Sequence, residues 1–164
     1  QKPEKHITIK EYYDKTLSNV MVDQELMKIV YQNIFTNALK YTPGNAKITV
    51  GFFAYGQSSS SSGNNYTDGV LLKVSDTGYG IPKNQENKIF TKLFRADNAK
   101  IRDTDGTGLG LYIVKSILDE MGGKIWFESE ENKGSTFFIW LPKTGMKEKQ
   151  GEKTLVSMSA NGGD

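Results

Sequence analysis

Apolar and polar positions partly alternate along "ITIKEYY" (7–13), which predicts a strand. "SNVMVD" (18–23) predicts a second short strand, ending at Asp23 as the N-cap of a helix. From there to Tyr41 the apolar residues recur at helical spacing. Met27, Tyr31, Ile34 and Ala38 share one face; Leu26, Ile29 and Val30 lie beside it, and Pro43 stops the helix. "AKITVGFFAYG" (46–56) and "VLLKVSDT" (70–77) predict a strand and its returning partner, the second apolar enough to be central. The polar, low-complexity stretch 57–69 between them predicts a mobile hairpin tip without chemistry. Residues 108–123 predict an amphipathic helix that buries Leu111, Val114, Leu118 and Met121 and is capped by Gly122 or Gly123. "KIWFESEE" (124–131) and "STFFIWLP" (135–142) form a hairpin around "NKG". Between the halves, residues 78–108 hold only a short helical piece near 84–94. That is too long for an ordinary connector, and such loops are often lids or binding loops. The order β-β-α-β-β-loop-α-β-β predicts an α+β fold: a two-layer sandwich, its sheet mixed but mostly antiparallel, with helices on one face. Residues 146–164 read as a frayed tail.

One line of the first helix breaks its apolar pattern. At about 100° per residue, Asn33, Asn37 and Lys40 fall within a sector roughly 60° wide. Two amides and an ammonium at the border of an apolar stripe make either a solvated edge or a pocket wall.

Composition narrows the field. The chain has 164 residues, 37% hydrophobic and 24% charged, with net charge +2. That suits one globular domain and is too balanced to argue for nucleic acid or an anionic membrane. No cysteine is present, which excludes disulfides and thiolate chemistry. No apolar run reaches membrane-spanning length, and "QKPEKH" is not a signal peptide. The two arginines, Arg95 and Arg102, lie within one short polar segment.

Two glycine-rich stretches carry candidate chemistry. In "GTGLGLYIVK" (106–115), Gly106, Gly108 and Gly110 leave backbone N–H groups bare at a helix start. That is either an anion site or a hinge. It lacks the surroundings of a dinucleotide fingerprint and is not a P-loop. In "DTGYGIP" (76–82), Asp76 ends an apolar strand as a turn former or a pocket acceptor. As an acceptor it suits an exocyclic amine such as adenine N6. Guanine would set oxygen against oxygen there, a loss of about 1–3 kcal/mol.

Together "NIFTNALKYTP", "DTGYGIP", "IFTKLFRAD" and "GTGLGLYIVK" resemble the N, first G, F and second G boxes of the ATP-binding catalytic domain of sensor histidine kinases, over about residues 5–142. The resemblance implies the Bergerat-type α/β sandwich, shared with gyrase-type topoisomerases, mismatch-repair ATPases and a heat-shock chaperone. It places the catalytic domain at 1–145 and a mobile ATP lid at about 82–107. It implies that Asn37 supplies an oxygen to Mg²⁺, Asn33 contacts phosphates or a metal-bound water, and Lys40 sits on a phosphate. Tyr41 would flank the nucleotide. Asp76 would read adenine, with Gly78 and Gly80 admitting backbone to the base and Ile81 packing on it. Gly106, Thr107, Gly108, Leu109 and Gly110 would form the phosphate-facing end of the lid. Phe90 and Phe94 match the F box, in which Thr91 and Lys92 depart from the usual acidic and proline residues. Arg95 resembles the lid arginine that approaches the γ-phosphate; Arg102 matches nothing and reads as a solvated residue.

The resemblance implies an enzyme that uses ATP and Mg²⁺ to phosphorylate a histidine on a separate dimerisation hairpin, of its own or a partner chain, with a response regulator downstream. It implies a monomeric isolated domain in the cytoplasm, free or as the cytoplasmic part of a membrane-anchored sensor. The one histidine, His6, lacks the phosphoacceptor pattern and reads as an incidental edge residue. A nucleotide-responsive binding module and a serine kinase on the same fold are the alternatives.

Overall fold

The computed structural model describes residues 6–17, 19–44, 47–56, 68–102 and 106–145, without the side chains of Ile101 and Arg102. The segment 57–67 and the tail 146–164, for which the sequence predicts a loop tip and fraying, lie outside the described residues, as does the side chain of Arg102.

Among the described residues, five strands and three α-helices make two layers. The elements are β1 (Thr8–Tyr13), α1 (Gln24–Lys40), β2 (Lys47–Tyr55), β3 (Gly69–Asp76), a 3-10 helix (Lys83–Lys88), α2 (Asp97–Arg102), α3 (Gly110–Glu120), β4 (Lys124–Glu130) and β5 (Gly134–Pro142). The sheet order is β1-β2-β3-β5-β4. Helix α1 carries the chain back, so β1 and β2 run parallel; every other pair is antiparallel. Strand β3 is central, as its apolar run predicts.

Two sequence expectations change. Residues 19–23 form no strand. Val22 packs on the core while Met21 is 84% exposed, so the alternation reflects one-sided burial without a ladder partner. Asp23 still caps α1, accepting from the Glu25 and Leu26 N–H groups at 2.9 and 3.0 Å. In the long connection, the helical piece is the 3-10 helix, and a second helix, α2, follows it in a segment that reads as merely polar.

The core lies between the helices and one face of the sheet. Met27, Val30, Ile34 and Ala38 of α1 and Val114 and Leu118 of α3 are buried against Ile48, Leu72, Val74, Phe137, Ile139 and Leu141. Leu72 pairs with Ile139 and Val74 with Phe137. The period-2 rule then puts Asp76, two residues after Val74, on this same face, opposite Ser135. Ser129 faces Ser135 in turn. The apolar rows of the sheet thus end in one polar row. Helix α3 ends in a Schellman turn: Gly122 takes φ +74°, and Gly123 N–H donates to Leu118 O at 2.8 Å.

Candidate nucleotide site

A cavity of about 450 Å³ opens where the polar row meets the helices. That volume suits a small-molecule site. One wall is α1. The face that buries Ile34 and Ala38 turns Asn33, Asn37 and Lys40 along its border, and all three line the cavity with Tyr41. The Asn33 Nδ2 group donates to Ile29 O at 2.8 Å, which turns Oδ1 toward the start of α3. There a Cβ on Gly110 would lie 2.6 Å from that oxygen. Only a glycine admits the amide so close to the helix start.

The floor is the end of β3. The Asp76 carboxylate Oδ1 accepts from Gly78 N–H at 2.8 Å and Ser135 N–H at 3.3 Å. Burial pushes its pKa above the ordinary carboxylate value, against the pull of these two bonds. The glycines beside it meet other backbone directly. A Cβ on Gly78 would lie 2.3 Å from Tyr41 O, and one on Gly80 (φ +63°) 2.0 Å from Glu130 O. Gly80 and Ile81 line the cavity. Gly78, expected beside the base, is not among the lining residues; its N–H donates to Asp76.

The third wall is the connection before α3. Phe94, Arg95, Gly106, Thr107, Gly108 and Gly110 all face the cavity; Leu109, the residue before α3, does not. Gly108 (φ +71°) lies against the backbone of Leu93 and Phe94, which locks the two ends of the connection together. The Arg95 guanidinium runs alongside Gly106, and its Nη2 donates to Ala99 O at 3.4 Å. Phe90 packs edge-on against Phe127, in the core and away from the cavity.

Sequence reading missed several lining residues: Gln32, Thr36, Tyr79, Asn98 and Ser135 among them. Ser135 could have been found, since it precedes buried Phe137 by two in an alternating strand. Asn98 carries no sequence signal. Its Oδ1 is buried without a hydrogen-bond partner among the described residues.

The lining carries the chemistry that an adenine nucleotide calls for. It combines a carboxylate acceptor, glycine-lined backbone, amides, a lysine, an arginine and a helix start. Among the described residues no cluster of three or more His, Cys, Asp or Glu could hold a metal. Asn37 offers a single amide oxygen, enough for an Mg²⁺ ion that takes its other ligands from water and phosphate.

Comparison with known proteins gives the same picture. The chain is 36% identical to the adaptive-response sensory kinase SasA of Synechocystis over 138 residues, 84% of this chain and 33% of SasA. It is 37% identical to the sensor histidine kinase WalK of Bacillus subtilis over 123 residues, 75% of this chain and 19% of WalK. It therefore spans a third or less of these relatives. The nucleotide-free catalytic domain of histidine kinase ThkA superposes with a TM-score of 0.64 at 34% identity, covering 84% of this chain and 79% of that domain. A family model described as histidine kinase-, DNA gyrase B- and HSP90-like ATPase matches residues 22–145. The fold, the cavity and this match together establish that the chain belongs to that ATPase family, as a domain of the sensor histidine kinase type.

Proposed function

We propose that this chain is the catalytic part of a two-component sensor histidine kinase. It binds Mg-ATP and presents the γ-phosphoryl group to a histidine on a separate dimerisation hairpin, for relay to a response regulator. The observation that carries this reading is the shared cavity of Asn37, Asp76 and Gly108, which come from three distant parts of the chain.

Asp76 accepts from adenine N6, and Tyr41, Gly80 and Ile81 border the base. Asn33, Lys40, Thr107 and the α3 start orient the phosphates. Arg95 acts on the γ-phosphate from the connection. Asn37 holds Mg²⁺, which when bound neutralises charge on the phosphate oxygens. The residues contribute positioning and charge neutralisation, which is most of what phosphoryl transfer asks of a protein. His6 is exposed, two residues before the edge strand β1, and takes no part. Among the described residues no helix is long and apolar enough to cross a membrane. The domain works as a monomer in the cytoplasm, whether or not its parent is anchored.

The test is to incubate the domain with γ-labelled ATP, Mg²⁺ and a dimerisation hairpin from a candidate parent kinase. Acid-labile label on the hairpin histidine is expected. Label that survives acid but not alkali would point to serine instead, and saturating nucleotide binding without any transfer to any hairpin would point to a binding module.

A further inference from the structure

One peptide group beside the base end of the cavity is held from both sides. The Ile81 N–H donates to Ser129 Oγ at 2.8 Å, from the sheet. The carbonyl of the same peptide, Gly80 O, accepts from Asn98 Nδ2 at 3.0 Å, from helix α2. The direction of the Asn98 amide follows from chemistry, because its oxygen turned toward Gly80 O would face acceptor with acceptor. Ser129 is anchored in turn, through Gly134 O at 3.1 Å and Ser135 Oγ at 2.9 Å. The sheet side of the peptide is therefore rigid, and the Asn98 side rests on one hydrogen bond.

Asn98 also has an unusual position. It sits in α2, which seats Arg95 through the Arg95–Ala99 contact. The start of α2 is clamped elsewhere, by the reciprocal bonds between Gln85 and Asp97 at 2.6 and 2.9 Å. Loss of the Asn98 amide thus cuts the link to the base loop without releasing the helix from the fold.

We propose that Asn98 is a positioning residue that couples the base end of the cavity to α2, so that an adenine against Gly80 and Ile81 settles the segment carrying Arg95. This rests on the nucleotide reading above. Occupancy of the base end stiffens the Gly80–Ile81 peptide, and Asn98 passes that stiffness to α2.

The experiment is hydrogen exchange at the Ala99 and Lys100 amides of α2, which bond to the carbonyl of Ala96, the residue before the helix. It is run on the whole chain with adenosine, with tripolyphosphate and with Mg-ATP. In the wild type, adenosine should slow exchange about three- to tenfold, the equivalent of one ordinary hydrogen bond. In Asn98→Ala, adenosine should bind about three- to tenfold more weakly, by linkage, and at saturation give no slowing. Asn98→Asp, nearly the same size but unable to donate, should exchange faster than Asn98→Ala; a role in packing alone would leave it like the wild type. Tripolyphosphate should act alike on all three. Equal slowing by adenosine in wild type and Asn98→Ala overturns the proposal, as does no slowing in a wild type that binds Mg-ATP. If Mg-ATP itself does not bind the wild type, the nucleotide reading fails first and this inference with it.

Discussion

Asn33 Oδ1 lies 2.6 Å from where a Cβ on Gly110 would stand, so an amide of α1 and the first residue of α3 share space that only glycine leaves open. Gly110→Ala should force the amide or the helix start to move. We expect nucleotide affinity to fall about ten- to hundredfold, the scale of a misplaced binding group. Adding Asn33→Ala should cost less than the sum of the two single losses, so the two changes will not be additive in a double-mutant cycle read by calorimetry. Strict additivity would show that the two residues do not meet.

Asp76 is the predicted reader of adenine. Mg-ATP and Mg-ADP should raise the melting temperature and GTP should not. Asp76→Ala should abolish the ATP shift and leave the ligand-free far-UV circular dichroism unchanged. A retained shift would remove Asp76 from the base site.

The same carboxylate sets a pH dependence. Its pKa is raised in the folded chain by burial. Between its ordinary value and the raised one, the folded state holds more protons than the unfolded state. Stability of the ligand-free domain therefore falls as pH rises through that window. Bound adenine favours the ionised form, so binding within the window should release a proton and weaken as pH is lowered. Calorimetry in two buffers of different ionisation enthalpy reads the proton directly. In Asp76→Asn both effects should vanish.

Asn37→Ala should weaken binding of Mg-ATP far more than binding of ATP in EDTA, since the lost oxygen belongs to the metal. An unchanged magnesium response would count against that role.

In the core, Leu118 is fully buried between α3 and the sheet. Leu118→Ala should cost about 2–5 kcal/mol in denaturant unfolding. Tyr112→Ala, on the exposed side of the same helix, should change stability by about 0.5 kcal/mol or less.

Much of this protein is decided locally and can be read from the chain. Helical spacing finds α1 and α3, Asp23 caps the first and Gly122 ends the second, because caps and periodicity depend only on near neighbours. Alternation finds both hairpins, and it puts Asp76 on the buried face with Val74. Other features exist only through contacts between distant segments. The alternation at 18–23 predicts a strand, yet among the described residues no strand pairs with 19–23. Helix α2 has no periodic signal and is held by Gln85. Asn98 gains its place only because Gly80, eighteen residues away, offers its carbonyl there. Sequence pattern records which side of an element is apolar; which polar group meets which is settled when the layers close, because a hydrogen bond needs two partners within about 3 Å and the chain order does not say which two.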